Sequence, residues 1–431
     1  MVSARASAIL ISAPASGQGK TTVTAGLARQ AVREGKRVRV FKTGPDFIDP
    51  MILARACGQP VYQLDLWMGG LAHCRSLLHQ AAKDCDLILV EGVMGLYDGT
   101  PSSADLARQL NLPLLIVIDG SAMAQTFGAL AAGLKVYGAD LAIHGVVANR
   151  VAGAGHAALL QESLTGPAAG ISFLGALCAD RAIELPDRHL GLVQAQEISD
   201  LDARIDHAAQ ALAASVRIAD IPQTPFHAEA DPQPPPLLAG LSIAVAHDAA
   251  LSFVYPANLD LLRAMGATIR YFSPLQGAPP PADAIYLPGG YPELHAAQLA
   301  ANDALRAALR RHHEAGKPLL AECGGMMVLF EYLVDLQGQR HAMAGILPGE
   351  TAMQPNLQGL ALQSVDFGHG ELRGHSFHHS RLRTSLAPLL HARTPRGQGG
   401  EAVFRRGALT ASYVHFYFPS HPRAAAALLR P

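Results

Sequence analysis

The sequence is poor in several features that define large classes of protein. Its five cysteines are odd in number and lack Cys-x-x-Cys spacing, which argues against a disulfide scaffold and against a zinc site. Only 16% of its 431 residues are charged, and 34 Lys and Arg against 35 Asp and Glu leave no excess positive charge to attract nucleic acid or anionic lipid. The longest apolar runs, such as residues 114–118, are far shorter than the roughly 18 residues of a membrane-spanning helix. Because the apolar part of residues 1–11 is also too short for a signal peptide, we expect a cytoplasmic protein.

The chain is long enough for two or three domains, and it divides clearly once. Six prolines lie between Ile221 and Gly240, three of them consecutive, and such a stretch favours extended polyproline geometry. We interpret residues 221–239 as a linker between a domain of residues 1–220 and a domain of residues 240–431. A loop within a single domain is the alternative.

In both domains, short apolar runs typical of buried strands alternate with helical stretches. This alternation indicates an α/β fold in which a parallel sheet is covered by helices on both faces. We therefore predict two separate parallel sheets, and a short helix over residues 424–429. The predicted strands are residues 8–12, 37–41, 87–90, 114–118 and 145–148 in the first domain, and 241–246, 268–272, 284–287 and 318–321 in the second.

The first chemical signal is a glycine-rich turn after the first predicted strand, where residues 13–22 read Ala-Pro-Ala-Ser-Gly-Gln-Gly-Lys-Thr-Thr. Glycines in such a turn let backbone N–H groups face phosphate oxygens, and the start of the next helix adds a partial positive charge. In this pattern Lys20 reaches the outer phosphates of ATP, and the Thr21 hydroxyl meets Mg²⁺. Pro14 stands where the standard pattern has glycine, and a tight turn that binds nothing is the alternative. The predicted ATP-binding residues of the turn are Gly17, Gln18, Gly19, Lys20, Thr21 and Thr22.

Acidic residues follow the ends of two predicted strands, at the sheet edge where a Mg·ATP site needs oxygen ligands. The candidates are Asp46 and Asp49 after the second strand, and Glu91 and Asp98 after the third. We predict that Thr21, Asp46 and Glu91 hold the metal ion, whereas helix capping or plain solvation would also explain the other two acids. Asn149, at the end of a later strand, offers its amide either to the adenine edge or to a helix cap.

The second chemical signal is a cysteine on a sharp turn between a strand and a helix, where residues 322–327 read Glu-Cys-Gly-Gly-Met-Met. This placement exposes Cys323 at the sheet edge, where the helix dipole favours its thiolate. A glycine pair, Gly289 and Gly290, follows another strand end, so backbone N–H groups there and at Gly324 are suited to stabilise a tetrahedral oxyanion. The other four cysteines are interpreted as buried spacers.

A cysteine nucleophile needs a base, and the candidate is His415, in the β-like segment 412–418. By spacing alone, any of the seven histidines from His369 to His421 would serve. Tyr417 stands two residues after His415, where an acidic third member of such a site often lies. A cysteine–histidine dyad is therefore expected rather than a triad.

The segment 374–380 carries three histidines but does not fit a metal site. It lacks the ligand spacing of zinc sites, and the adjacent His378 and His379 would point to opposite faces of a strand. Hydrogen bonding of His375 and His378 to an acidic substrate is the interpretation that we favour, and a plain surface strand is the alternative.

A nucleotide-binding turn, a proline-rich segment and a cysteine turn, in this order, resemble the cobyrinate and hydrogenobyrinate a,c-diamide synthases of corrinoid biosynthesis. The resemblance implies a P-loop NTPase domain with the parallel sheet of dethiobiotin synthetase, followed by a class I glutamine amidotransferase domain of flavodoxin-like fold. It extends over nearly the whole chain. The matching segments are residues 13–22, 44–50, 91–99, 248–258, 288–293, 322–326, 374–380 and 412–418.

The resemblance implies a ligase of cobalamin biosynthesis with two reactions. Cys323, assisted by His415, would attack L-glutamine, and the ammonia released would pass to the ATP site. There ATP would phosphorylate a carboxylate of the corrin, cobyrinate or hydrogenobyrinate, and ammonia would displace phosphate to leave an amide, first at the c and then at the a side chain. Asp46, Asp49 and Glu91 would hold Mg²⁺ or orient the substrate. The candidates for contacts with the macrocycle are Ser252, Tyr255, Asn258, His375 and His378.

The chain departs from the pattern of this family at several positions. Ser376 replaces a glutamate, His379 an aromatic residue and Tyr417 a second histidine, while residues 353–362 match poorly. These changes leave both reaction centres intact and affect the contacts expected with the macrocycle. Whether the protein forms a homodimer is left open by the sequence.

Three other functions compete with this interpretation. A related amidotransferase would act on nickel sirohydrochlorin or another tetrapyrrole carboxylate, but residues 44–50 and the chain length favour the a,c-diamide group. CTP synthase has the same domain order, but a glutamate follows its glutaminase base. From another class, a partition-type ATPase has a lysine where Ala15 stands and has no cysteine turn, and a regulatory ATPase with an inactive glutaminase would not need Cys323 and His415.

Overall fold

A computed structural model describes residues 3–186, 193–228 and 233–431. The chain forms two compact units, Met1–Asp231 and Pro232–Pro431, and each is described by itself. Among the described residues, no helix has the length and apolar character needed to cross a membrane.

The first unit alternates strands and helices, as the sequence predicts. Its strands are β1 (Ser3–Ser12), β2 (Val38–Thr43), β3 (Tyr62–Leu64), β4 (Leu87–Glu91), β5 (Leu114–Asp119), β6 (Ile143–Val151), β7 (Ser172–Cys178) and β8 (Gln223–His227). Its helices are α1 (Lys20–Arg33), α2 (Ile48–Cys57), α3 (Gly70–Asp84), α4 (Ser103–Leu110), α5 (Thr126–Tyr137), α6 (Ala154–Glu162) and α7 (Leu201–Ala213).

Seven of these strands form a parallel sheet in the order β3-β2-β4-β1-β5-β6-β7. Residues of β1 alternate between two cores, with Ala8 and Leu10 packed on one face and Ile9 and Ile11 on the other. Burial on both faces explains why these strands read as uninterrupted apolar runs. The loops after β1, β2 and β4 leave the same edge of the sheet, which brings the glycine turn and the predicted acids together.

The prediction of a linker over residues 221–239 is wrong for Gln223–His227. These residues form β8, which pairs antiparallel with β1, so that Arg5 faces Pro225. Thr224 and Phe226 are buried while their neighbours are exposed, an alternation with the period of a strand. A proline is tolerated here because β8 has only β1 as its neighbour and therefore lies at an edge. Residues 229–232 of the predicted linker lie outside the described residues.

The second unit is richer in strands than the sequence predicts. Its strands are β9 (Ser242–Ala246), β10 (Thr268–Phe272), β11 (Ala284–Leu287), β12 (Leu319–Glu322), β13 (Phe330–Val334), β14 (Arg340–Ala342), β15 (Leu347–Met353), β16 (Gly359–Asp366), β17 (Glu371–His378), β18 (Ser380–Arg383), β19 (Leu390–Arg393), β20 (Gly399–Arg406), β21 (Leu409–Ser412) and β22 (His415–Phe416). Its helices are α8 (Pro256–Ala264), α9 (Ala296–Ala301), α10 (Asp303–Glu314), α11 (Gly324–Met327) and α12 (Pro422–Ala427). The last of these confirms the predicted C-terminal helix, two residues earlier than expected.

The prediction of a purely parallel second sheet is wrong. Ten strands follow the order β10-β9-β11-β12-β21-β20-β19-β16-β17-β22, and only the first five are parallel to one another. The other pairings are antiparallel, and β14-β13-β15-β18 form a separate sheet. Antiparallel neighbours need only short turns, such as residues 367–370 between β16 and β17, so no helical stretch marks these strands in the sequence.

Candidate active sites

The glycine turn between β1 and α1 has the geometry of a loop that wraps an anion. Gly17 and Gly19 adopt left-handed conformations, with φ of 76° and 91°. A Cβ atom on Gly19 would lie 2.0 Å from Nδ2 of Asn149, so no larger residue fits there. Helix α1 begins at Lys20, directly after this turn, and its first N–H groups add to the site.

Side chains at the ends of β5 and β6 hold the turn in place. Asn149 donates from Nδ2 to the Gln18 carbonyl at 2.8 Å, and Gln18 accepts at Oε1 from the Asp119 N–H at 2.8 Å. Arg150 donates to the Gly17 carbonyl at 2.9 Å and forms an ion pair of 2.6 Å with Asp119. Asn149 thus supports the loop, while its contact with adenine stays a prediction. Asp119 and Arg150 were missed by the sequence analysis, although both lie at the ends of strands.

The predicted acids meet around a buried lysine that the sequence analysis did not select. Nζ of Lys42 lies 2.7 Å from Oδ2 of Asp49, 2.7 Å from Oε1 of Glu91 and 3.6 Å from Oδ2 of Asp46. Burial, and then the carboxylate of Asp49, raises the pKa of Asp46 to about 8. Burial acts in the same direction on Asp49, but Lys42 outweighs it and lowers the pKa of Asp49 to about 2. Asp49 is therefore the ionised partner of Lys42, and Asp46 holds a proton more readily.

Glu91 joins the acid group to the glycine turn. Thr21 donates from its hydroxyl to Oε1 of Glu91 at 3.1 Å, while Oε2 of Glu91 is buried and has no hydrogen-bond partner among the described residues. Lys20 donates from Nζ to the Met94 carbonyl at 2.7 Å. A buried carboxylate oxygen without a donor, beside a threonine hydroxyl, fits a hard cation such as Mg²⁺. In the described ranges, no group of three or more His, Cys, Asp or Glu side chains is arranged to bind a metal by itself.

Asp98, predicted as a carboxylate of the ligase site, acts on Lys20: burial lowers the pKa of Lys20, and Asp98 is among the carboxylates that oppose this shift. It is exposed, and its Oδ2 accepts from the Gly95 N–H at 3.0 Å. This hydrogen bond closes the turn that carries Met94, whose carbonyl accepts from Lys20.

A cavity of about 730 Å³ opens over the turn and the acids, a size suited to a nucleotide with part of a second substrate. Gln18 does not line it, because its side chain turns towards Asp119. The lining residues include Gly17, Gly19, Lys20, Thr21, Thr22, Lys42, Asp46, Asp49, Glu91, Asn149 and Arg150.

In the second unit, Cys323 lies in a strained turn between β12 and α11. Its φ of 45° and ψ of −109° are unfavourable for any residue with a Cβ atom, and such strain is typical of functional turns. The predicted oxyanion glycines lie against this turn. A Cβ on Gly324 would be 2.9 Å from the Gly290 carbonyl oxygen, and a Cβ on Gly289 would be 2.2 Å from Cε1 of His415. The structure therefore brings the nucleophile turn, the glycine pair and the predicted base together.

The charge states of the two reacting groups suit a proton transfer. Burial, and then Glu293, raises the pKa of the Cys323 thiol. Burial, and then His375, lowers the pKa of His415 well below 6.5. The prediction of an exposed Cys323 with a favoured thiolate is therefore wrong, because the side chain is buried and the thiol stays protonated. The imidazole is neutral, so His415 is able to accept the proton when the sulfur attacks.

The residues predicted to contact the macrocycle are mostly interior. Asn258 is fully buried, and its amide bonds the backbone of Phe416 and Phe418, so its predicted substrate role is wrong. Tyr255 is 1% exposed, and its hydroxyl is 2.9 Å from Nδ1 of His375. The reason is that α8 and β17 turn these side chains inward, which a single sequence does not reveal.

The side chain of His378 also has partners within the protein. Its Nε2 lies 3.0 Å from Oε1 of Glu401, and its ring stacks on Tyr413 with centroids 3.7 Å apart. Ser252 is 8% exposed, and its contact with substrate stays a prediction.

Another residue that the sequence analysis missed is Glu322, directly before Cys323. Its Oε2 accepts from the Tyr286 hydroxyl at 2.8 Å, and its Oε1 accepts from the Phe416 N–H at 3.2 Å. Burial raises the pKa of Glu322 to about 8. An acid next to a candidate nucleophile was the signal available in the sequence.

Comparison with known proteins finds relatives over the full length of the chain. Residues 9–193 match the family of CobQ/CobB/MinD/ParA nucleotide-binding domains, and residues 242–423 match the CobB/CobQ-like glutamine amidotransferase domains. A hydrogenobyrinate a,c-diamide synthase of Stutzerimonas stutzeri is 58% identical over 100% of both chains, and one of Pseudomonas aeruginosa is 57% identical over 100% of this chain and 99% of its own. A cobyrinate a,c-diamide synthase of Herminiimonas arsenicoxydans is 50% identical over 98% of this chain and 96% of its own.

Proposed function

The chain belongs to the family of cobyrinate and hydrogenobyrinate a,c-diamide synthases, and we propose that it uses ATP and glutamine to amidate the a and c carboxylates of such a corrin acid. The family membership confirms the resemblance found in the sequence. It makes the protein a glutamine-hydrolysing carbon–nitrogen ligase of cobalamin biosynthesis, with an ATP-binding domain and an amidotransferase domain. We also propose that it acts in the cytoplasm as a homodimer and binds neither membranes nor nucleic acid, which cell fractionation and sedimentation equilibrium would check.

The second unit releases ammonia from glutamine. The Cys323 thiol gives its proton to His415 as the sulfur bonds to the carboxamide carbon, and backbone N–H groups near Gly289, Gly290 and Gly324 stabilise the oxyanion. His415 then returns the proton to the leaving nitrogen, the carbon–nitrogen bond breaks, and ammonia departs. Water hydrolyses the remaining thioester to glutamate and restores the thiol.

The first unit activates the carboxylate. A corrin carboxylate oxygen attacks the γ-phosphorus of ATP, ADP leaves, and ammonia then displaces phosphate from the acyl carbon. The activation is needed because a carboxylate is a poor electrophile and its acyl phosphate is a good one. Lys20 stabilises the charge on the transferred phosphoryl group by exchanging its bond to the Met94 carbonyl for phosphate oxygens.

The residues around Glu91 fit a magnesium ion. Thr21 and the buried Oε2 of Glu91 would hold it. Mg²⁺ bound there would neutralise the negative charge of the phosphates. The role of Asp46 as a third metal ligand stays a prediction. Asp46 and Asp49 are also proposed to orient the substrate around Lys42, which keeps Asp49 and the other oxygen of Glu91 in place.

The observation that carries the proposal is the strained Cys323 turn, with the ring of His415 against the Gly289–Gly290 pair beside it. Its test is conversion of a corrin hexa-acid, with and without cobalt, in the presence of ATP, Mg²⁺ and either glutamine or free ammonia. Product mass should show two successive replacements of OH by NH₂, and Cys323→Ala should retain only the reaction with ammonia. Intact glutamate release without a mass change on either corrin would instead redirect the assignment to sirohydrochlorins.

A further inference from the structure

Strand β22 carries His415 and is only two residues long, so the placement of the base depends on how this short backbone is held. On one side β22 pairs with β17, where His415 faces His375. β22 is the last strand of the ten-stranded sheet, so within the described residues no strand lies on its other side. An edge strand has backbone groups that need other partners.

Two buried side chains provide those partners. The Phe416 N–H donates to Oε1 of Glu322 at 3.2 Å, and Nδ2 of Asn258 donates to the Phe416 carbonyl at 2.7 Å. Oδ1 of Asn258 also accepts from the Phe418 N–H at 2.8 Å. Glu322 is 1% exposed and Asn258 is fully buried, so water does not compete for these bonds. We call Glu322 and Asn258 the clamp.

The clamp links the base to the nucleophile through a single residue. Glu322 ends β12 and directly precedes Cys323, while its carboxylate reaches the residue that follows His415. β21, which directly precedes β22 in the chain, pairs with β12, and the Cys323 N–H donates to the Ser412 carbonyl at 2.8 Å. The clamp adds a second connection, at the residue after His415. Tyr286, on β11, donates to the second oxygen of Glu322 at 2.8 Å and thereby fixes the rotation of the carboxylate.

Space filling alone does not account for a glutamate at this position. Burying a carboxylate costs free energy that an apolar side chain of similar size would not. The site provides one donor for each oxygen, Tyr286 and the Phe416 N–H, and one of these donors lies on the strand that carries the base. The arrangement is therefore specific to the geometry of β22.

We propose that Glu322 and Asn258 are positioning residues for the glutaminase reaction, which hold both backbone groups of Phe416 and so set the distance of the His415 imidazole from the Cys323 thiol. The role requires an oxygen acceptor at Oε1 of Glu322 rather than its charge. Neither clamp residue reaches the surface, so loss of the clamp should lower kcat for glutamine hydrolysis and leave the KM for glutamine unchanged. The inference rests on the proposed glutaminase function of the second unit.

The test measures glutamate release and ammonia-dependent corrin amidation on the same full-length preparations. Glu322→Ala should lower kcat for glutamine hydrolysis by about 10- to 100-fold, the cost of misplacing a catalytic group by a fraction of an ångström to one ångström. Glu322→Gln keeps the acceptor and should recover activity to within a few-fold of wild type. The control is Thr351→Val, an isosteric change of a fully buried residue on β15, which should leave both activities unchanged.

Asn258→Asp and Tyr286→Phe keep the test decisive if Glu322→Ala does not fold. Asn258→Asp places an oxygen against the Phe416 carbonyl, and Tyr286→Phe frees the Glu322 carboxylate to rotate. Both should lower the glutaminase kcat while ammonia-dependent amidation stays at the wild-type level. A wild-type glutaminase kcat in both variants would overturn the inference. So would a Glu322→Gln protein whose kcat is as low as that of a variant without the acceptor oxygen. Absence of glutamate release from the wild type would instead overturn the proposed function.

Discussion

The imidazole ring of His375 stacks on that of His415, with ring centroids 5.0 Å apart and ring planes within 18°. The two residues face each other across β17 and β22, and the Tyr255 hydroxyl bonds Nδ1 of His375. Burial lowers the pKa of His375 to about 3, so it stays neutral beside the base. Two stacked imidazoles cannot both carry a charge at low cost, and this arrangement keeps His415 in the form that accepts a proton.

We expect glutaminase activity to persist on the acid side of the ordinary histidine pKa of about 6.5. The neutral imidazole is the active form, and since burial and His375 lower the pKa of His415, its protonation needs a lower pH. The acid limb of kcat/KM for glutamine should therefore have its midpoint below 6.5. A midpoint at or above that value would contradict the burial of the base.

Glu322 should make the protein less stable as the pH rises. Its pKa is raised from 4.5 to about 8 in the folded state, so the stability it contributes is complete below 4.5 and is lost as the pH rises through 8. The raised pKa means that Glu322 binds a proton on folding between these two pH values, and Glu322→Gln removes the group that binds it. The free energy of unfolding, measured with urea, should increase in the variant relative to wild type as the pH rises. A constant difference between the two proteins would show that folding does not raise the pKa of Glu322.

Lys42→Met should abolish corrin amidation with glutamine or ammonia and preserve glutamate release. Removal of the ammonium group leaves Asp49 and Glu91 as uncompensated carboxylates in a buried site, at a cost of about 3 kcal/mol in the free energy of unfolding. The matched control is Lys83→Met, at an exposed position of α3, which should change neither activity. Normal amidation by the Lys42 variant would show that the acid group does not need its lysine.

Gly19→Ala should prevent ATP binding, measured by calorimetry. Its φ of 91° is unfavourable for alanine, and the new Cβ would meet Nδ2 of Asn149 at 2.0 Å. Gly35→Ala is the matched control, because Gly35 also has a left-handed φ of 78° but no atom within 4 Å of the added Cβ. The control should lose roughly 1–2 kcal/mol of stability and bind ATP normally. Equal loss of binding in both variants would assign the effect to backbone strain rather than to the phosphate loop.

The first sheet, the glycine turn and the cysteine turn were predictable because their signals are local. Strand β1 and the glycine turn after it are continuous in the sequence, and so are β12 and the turn at Cys323. The acids near Lys42 could also be placed together, because carboxyl ends of parallel strands share one edge. Lys42 itself was not predicted, since its partners come from α2 and from the end of β4, and only the folded sheet brings them to one Nζ atom.

The sequence by itself determined the family, the division into two units and the positions of the glycine turn and the cysteine turn, because each depends on residues that are neighbours along the chain or on strand ends of known direction. Only the tertiary structure decided which polar side chains remain available to a substrate. Asn258 was predicted to contact substrate, yet both polar atoms of its amide form hydrogen bonds with the backbone of Phe416 and Phe418. The reason is that burial and hydrogen bonding depend on segments that are distant in the chain. Asn258 and Phe416 are 158 residues apart, so no local sequence pattern indicates their hydrogen bond.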